Sequence, residues 1–145
     1  MMWVFYGAIA CTLICGIIFY LKGLGGYLYA ALSLLMFIIS LVSIVSFISL
    51  YIYELPTHHC PFCIIMEEYN YLGYLLYIFL FGAVVSGLGV GALIPFRKVE
   101  SLQFMLSGFI RKLALASVIL YAAFTALVTY EIVSSSLVIS YEAVY

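Results

Sequence analysis

Long apolar runs dominate the chain, and only short polar stretches interrupt them. Four runs extend over about 2–21, 27–53, 71–94 and 113–133. At ~1.5 Å per residue, helices of these lengths cross a hydrocarbon core of ~30 Å. Because lipid offers the backbone no hydrogen-bond partners, the runs are predicted to be helices. The pattern therefore predicts an all-α integral membrane protein, a four-transmembrane-helix bundle in one domain over 1–145.

The segment at 101–112 has a different pattern. Its apolar residues recur at intervals of three and four positions: Leu102, Met105, Leu106, Phe109 and Ile110. This spacing, with polar residues between, is typical of an amphipathic helix lying in the membrane interface. We expect a cytoplasmic interfacial helix that acts as a lipid-seated connector or as a docking surface for a partner.

The few charged residues divide between the two sides of the predicted bundle. All five cations fall on one side: Lys22, Arg97, Lys98, Arg111 and Lys112. Most of the six carboxylates fall on the other: Glu54, Glu67, Glu68, Glu131 and Glu142. Since basic loops stay in the cytoplasm, both termini and the loop at 54–70 are predicted to lie outside the cell (inner) membrane.

Composition supports a membrane protein and disfavours other classes. The 145 residues are 68% hydrophobic and 8% charged, with a mean hydropathy of +1.31. A net charge of −1 gives no reason to expect nucleic acid as a partner. The first residues lack the basic region and cleavage site of a signal peptide, so they are predicted to be a retained span. With so little polar surface, we expect the chain to work within membrane lipid and against another membrane or extracytoplasmic protein.

Nearly all reactive side chains gather in one stretch, THHCPFC. His58 and His59 directly precede Cys60, and Cys63 lies two residues beyond Pro61. Pro61 suits the first position of a helix, which places both thiols near free N–H groups and the positive helix end. Such a position, and a nearby imidazolium, lower the pKa of a thiol. The stretch therefore predicts a reversible dithiol/disulfide couple, with Cys60 and Cys63 catalytic and the two histidines modulating.

An outward-facing CxxC beside a span of a four-helix bundle resembles the membrane thiol oxidases. These are the bacterial disulfide-bond-forming quinone reductases and the vitamin K epoxide reductase group. The resemblance implies that Cys60 and Cys63 pass electrons from periplasmic thiols to a quinone. That family has a second cysteine pair in an outer loop, whereas Cys11 and Cys15 fall in the first span, where they are predicted to be small packing residues.

Four tyrosines of YNYLGYLLY have two interpretations, a quinone pocket or an aromatic belt at the membrane interface. They are Tyr69, Tyr71, Tyr74 and Tyr77. The sequence leaves both interpretations open.

A metal site is the main alternative to redox chemistry. Its ligands would be His58, His59, Cys60 and Cys63, a set that suits zinc or copper. Glu67 or Glu68 is a further candidate ligand. The chain would then be a small non-catalytic subunit of a respiratory or metal-handling complex. Haem c is disfavoured because Ile64 follows the second cysteine, where haem attachment needs histidine. A permanent disulfide that pins the outer loop is a third interpretation.

Overall fold

The computed structural model describes residues 2–53, 60–101 and 103–135. Within these ranges, four helices are long and apolar enough to cross a membrane, and no strand is present. They are α1 (Met2–Lys22), α2 (Gly26–Tyr53), α3 (Leu72–Leu93) and α4 (Gln103–Ser134). The prediction of four long apolar helices is confirmed, and the first three agree with the predicted bounds to within one residue.

One segment of α2 departs from α-helical geometry. The helix is regular over Gly26–Ser43, becomes a π-helix over Ile44–Ile48, and ends in one α-helical turn over Ser49–Tyr53. A π-helical turn is wider than an α-helical turn, because its hydrogen bonds reach one residue further along the chain. The hydroxyl of Ser49 donates to the carbonyl oxygen of Val45 at 3.3 Å, at the end of this widened stretch.

The helix α4 joins two segments that the hydrophobic pattern separates. From Gln103 onward, the predicted amphipathic helix at 101–112 and the predicted fourth span at 113–133 run as one helix, so the predicted boundary between them is absent. Leu102, an apolar residue of the predicted amphipathic pattern, lies outside the described residues. The physical reason is the sequence RKLALA at the junction, which consists of strong helix formers. A helix of 32 residues extends about 48 Å, well beyond a ~30 Å hydrocarbon core. Its first two turns lie largely outside the packed core of the bundle: Phe104 is exposed, and Ile110 is the first buried residue.

Four pairs of helices make the main contacts of the bundle. The helices α1 and α3 each contact both α2 and α4, which closes a ring of four. Two clusters of buried apolar side chains fill this ring. The larger includes Phe5 and Phe124, and the smaller includes Phe19 and Ile110 near the turn between α1 and α2.

Hydrogen bonds between helices cross the middle of the bundle. The hydroxyl of Tyr121 donates to the carbonyl oxygen of Ser33 at 2.8 Å and lies 2.9 Å from the Ser33 hydroxyl. The hydroxyl of Ser117 donates to the carbonyl oxygen of Ala83 at 2.7 Å. These bonds link α4 to α2 and to α3, and in lipid such polar contacts help to hold helices together.

Two glycines of α3 allow a close approach to α2. A Cβ atom at Gly87 would lie 2.2 Å from the Ser33 hydroxyl oxygen, and one at Gly91 would lie 2.6 Å from the Cβ of Ala30. Neither distance leaves room for a side chain. The two glycines are spaced as GxxxG, and small residues at this spacing let apolar helices approach closely.

The basic residues and the cysteine-containing turn lie at opposite ends of the bundle. Lys22 ends α1, and a 3₁₀ helix over Ile94–Lys98 extends α3 at the same end. Arg111 lies at this end too, because a Cβ atom placed on Gly23, the residue after Lys22, would be 4.0 Å from the Nη2 atom of Arg111. The turn that begins at Cys60 connects to the start of α3, at the other end.

Candidate active site

The turn that carries the two cysteines is short and compact. Pro61 begins it, and a three-residue 3₁₀ helix follows over Cys63–Ile65. Met66 has an extended backbone with ψ 156, which ends that helix, and a second 3₁₀ helix covers Glu67–Tyr69. The helix predicted to begin at Pro61 is therefore only one short turn, and α3 begins at Leu72.

A buried isoleucine and a glycine fix this turn against the bundle. Ile64 is fully buried and belongs to the larger core cluster. A Cβ atom at Gly73 would lie 2.9 Å from the carbonyl carbon of Ile64. The backbone of the turn therefore lies directly on the first turn of α3, and a side chain at Gly73 would displace it.

Two tyrosine hydroxyls hold the backbone next to Cys60. Tyr53, at the end of α2, donates to the carbonyl oxygen of Cys60. Tyr77, in α3, donates to the carbonyl oxygen of Pro61 at 2.8 Å. The rings of Tyr53 and Tyr69 pack edge to face with centroids 4.7 Å apart. Both neighbouring helices thus position the first residues of the cysteine motif.

The two thiols are electrostatically coupled and chemically unequal. Cys60 and Cys63 are half-buried free thiols. The hydrogen bond from the Cys63 thiol lowers the pKa of Cys60, and the backbone N–H groups of Phe62 and Cys63 lower it further. The same thiol–thiol hydrogen bond raises the pKa of Cys63, as do its burial and the negative charges of Cys60 and Glu68. At neutral pH, Cys60 is therefore the better nucleophile and the better leaving group of the pair.

This inequality predicts how the alkylation of Cys60 depends on pH. In a chain with Cys11 and Cys15 changed to alanine, Cys63→Ala should shift the pH of half-maximal Cys60 alkylation upward, because the thiol donor is lost. Cys63→Ser keeps a hydroxyl donor and should shift it less. Iodoacetamide labelling rates across pH, followed by mass spectrometry, measure both shifts. Identical profiles for the two variants would show that the donor does not control the Cys60 thiol.

An apolar cavity of about 500 Å³ lies beside the turn. Its walls come from α2, the cysteine-containing turn and α3: Leu41, Ile44, Val45, Pro61, Phe62, Ile65, Tyr74, Tyr77 and Phe81. The π-helical part of α2 supplies two of these residues. Pro61 and Phe62, which separate the two cysteines, form one wall, although the thiols themselves do not line the cavity.

The four tyrosines of YNYLGYLLY differ in their relation to this cavity. Tyr74 and Tyr77 line the cavity, whereas Tyr69 and Tyr71 do not. Tyr71 is exposed and begins the turn into α3 with a φ of 56°. Tyr74 and Tyr77 are therefore placed to contact a ligand in the cavity. For Tyr69 and Tyr71, the predicted position in an aromatic belt at the membrane interface stays a prediction.

The metal-site prediction depends on residues beyond the described ranges. His58 and His59 lie outside the residues that the structure describes. Among the described residues, no group of three or more histidine, cysteine, aspartate or glutamate side chains is arranged to hold a metal ion. Glu67 and Glu68 are in the second 3₁₀ helix of the loop. Zinc or copper binding therefore stays a prediction.

Three residues that shape the site were not predicted from the sequence. Tyr53, Ile64 and Gly73 hold the turn in place through contacts between elements. Gly73 alone carries a local signal, because a single glycine at the start of an apolar helix is typical of close packing. The predicted packing cysteines lie in α1, where Cys11 is exposed on the outside of the bundle and Cys15 is half-buried.

Comparison with known proteins gives no relative from which a function can be transferred. No protein-family model, curated protein or solved structure matches the chain. The fold and the cysteine pair must therefore be interpreted from the residues of this chain.

Proposed function

We propose that the chain is a membrane thiol–disulfide redox protein whose reactive pair is Cys60 and Cys63. The observation that carries the proposal is that both free thiols lie on one compact turn packed against the bundle, where the coupling between them lowers the pKa of Cys60 and raises that of Cys63. One thiol is thereby prepared to attack and the other to resolve. Tyr53 and Tyr77 keep the backbone of the motif in position for this exchange.

The exchange begins with the pair oxidised. A thiolate of an extracytoplasmic partner protein attacks the Cys60 sulfur, the Cys60–Cys63 bond breaks, and Cys63 leaves as a thiolate that takes up a proton. The partner's second thiolate then attacks its own sulfur in the mixed disulfide and releases Cys60. The partner has lost two electrons and two protons, and the cysteine pair has gained them. The lowered pKa of Cys60 favours this second release, because thiols of lower pKa leave faster.

The cavity beside the turn suits a quinone. Its volume of about 500 Å³ lies in the range of small-molecule sites, and its walls combine aliphatic side chains with the rings of Tyr74, Tyr77 and Phe81. Bound there, a quinone supplies the acceptor for two electrons and two protons. Pro61 and Phe62 line the cavity and lie between the two cysteines, so the disulfide re-forms at the edge of the cavity.

Filling the cavity tests this part of the proposal. Leu41→Trp should raise the KM for a short-chain quinone by roughly tenfold or more, because the added ring occupies the site. Leu34→Trp is the matched control, since it lies two turns earlier on the same face of α2 and does not line the cavity. The measurement is the rate of quinone reduction with a dithiol donor at increasing quinone concentrations. Equal KM values for the two variants would remove the cavity from the proposal.

Metal analysis of the purified protein separates this proposal from the metal-site alternative. A redox pair needs its thiols free, so no stoichiometric zinc or copper should copurify with the wild type. One bound ion per chain, lost in Cys60→Ser, would contradict the redox proposal and support a metal-binding subunit.

In this proposal the cysteine-containing end and both termini face the outside of the cell membrane. The support is the position of the cations at the opposite end, because basic loops remain in the cytoplasm. A chain in which Cys60 is the single cysteine should react with a membrane-impermeant maleimide in intact cells. Labelling that requires opened cells would reverse the orientation, and with it the assignment of an extracytoplasmic partner.

A further inference from the structure

A second cavity, of about 680 Å³, lies at the basic end of the bundle, opposite the end that carries the cysteine-containing turn. Arg97, from the 3₁₀ helix after α3, and Arg111, from the third turn of α4, both line it. Neither guanidinium forms an ion pair within the part of the chain that the structure describes. Glu100 also lines the cavity, and it is the only carboxylate among the lining residues.

The arginines give this cavity the chemistry of a phosphate site. A guanidinium presents several N–H donors in a planar fork that matches the oxygens of a phosphate group. Ser107 and Gly108 form part of the cavity wall between the arginines. A Cβ atom at Gly108 would meet nothing within 4 Å, so the absence of a side chain there leaves the cavity open.

The surroundings of the cavity favour a lipid over a soluble phosphate. Phe104 lines it and is 94% exposed, and Met105 beside it is 80% exposed. The cavity lies at the exposed beginning of α4, and a helix of 32 residues is long enough for this end to lie among lipid headgroups when the rest spans a hydrocarbon core. Apolar side chains next to unpaired cations match a molecule that joins a charged headgroup to acyl chains.

We propose that this cavity binds the phosphate of an anionic phospholipid between Arg97 and Arg111, with the acyl chains beside Phe104. The site is independent of the chemistry at Cys60 and Cys63. It also gives the first turns of α4 a defined role as part of a lipid-binding site.

The test measures lipid retention by native mass spectrometry of the full chain in detergent, with phosphatidylglycerol and phosphatidylcholine of equal acyl composition. The wild type should retain phosphatidylglycerol preferentially. Arg97→Gln and Arg111→Gln should each weaken this retention about tenfold, because each removes a charge-assisted hydrogen-bond donor. Lys98→Gln and Lys112→Gln are the matched controls, since each removes one charge at the neighbouring position without altering the cavity lining.

A steric variant separates the cavity from general surface charge. Gly108→Leu fills the open space, keeps every charge and introduces a better helix former, so it should fold and yet lose phosphatidylglycerol. Equal losses in all four charge variants, or full retention by Gly108→Leu with an unchanged melting curve, would overturn the proposal. Displacement of the lipid by inorganic phosphate would assign the cavity to a soluble anion, and would equally overturn it.

Discussion

Changing Cys63 to serine should stop the cysteine pair at a mixed disulfide, whereas changing Cys60 should prevent the reaction from starting efficiently. The assay uses an aromatic disulfide that releases a coloured thiolate, in a chain where Cys11 and Cys15 are alanine. With both Cys60 and Cys63 present, Cys60 attacks first and Cys63 resolves, so two coloured thiolates are released per chain. With Cys63→Ser, only the first is released, and the mixed disulfide persists because no second thiol attacks it.

The Cys60→Ser variant reports on the inequality of the thiols. Its remaining thiol, Cys63, loses the thiolate that raised its pKa but keeps its partial burial and the neighbouring Glu68. Cys63 in this variant should therefore react more slowly than Cys60 does in the Cys63→Ser variant. Turnover with quinone should fall roughly 10³-fold or more in both single variants, because a resolving or attacking sulfur is missing.

Each alternative interpretation of the motif predicts a different result. A permanent disulfide would release no coloured thiolate until the protein was reduced. A bound metal would protect both thiols until it was chelated. Loss of activity in the Cys11→Ala/Cys15→Ala background with an intact fold would instead make those residues the second redox pair.

The close approach of α3 to α2 should make Gly87 sensitive to even the smallest enlargement. Gly87→Ala places a methyl group against Ser33, which is hydrogen-bonded to Tyr121. Either the helices separate or that interhelical bond is lost, and overpacking of this kind costs about 2 kcal/mol of unfolding free energy. The midpoint of unfolding in an SDS titration, followed by circular dichroism, measures the effect.

The matched control for Gly87→Ala lies two residues along the same helix. A Cβ atom at Gly89 would be 3.5 Å from a methyl carbon of Leu113, an ordinary contact, so Gly89→Ala should leave the midpoint nearly unchanged. Gly91→Ala, which meets Ala30, should be destabilising as well and serves if Gly87→Ala does not fold. Equal midpoints for Gly87→Ala and Gly89→Ala would contradict the close contact between α2 and α3.

The helices could be predicted because their signal is local and repeated. Hydropathy alone places the ends of α1, α2 and α3 almost correctly, and the small residues Gly87 and Gly91 indicate a close contact. The start of α4 could not be predicted in the same way, because a change from amphipathic to uniformly apolar residues does not interrupt a helix when no breaker lies at the junction.

The candidate site also has features that the sequence predicts and features that only packing determines. The identity of Cys60 and Cys63 follows from the motif, and their nearness follows from its spacing. The order of their pKa values also depends on the backbone N–H groups of Phe62 and Cys63, which lower the pKa of Cys60. The contributions of Tyr53 and Ile64 arise from packing between distant elements, and neither has a sequence signal of its own.

The π-helical stretch of α2 has a consequence for the register between that helix and the cysteine motif. Successive residues of an α-helix are rotated by about 100° around its axis, so one extra residue in a widened turn changes the direction in which every later side chain points. Tyr53 follows Ile44–Ile48, and its hydroxyl reaches the carbonyl oxygen of Cys60. With the same sequence wound as an uninterrupted α-helix, the tyrosine would face a different side of the bundle. The direction in which the end of α2 faces, set several residues upstream, thus determines whether Tyr53 can hold the backbone at Cys60.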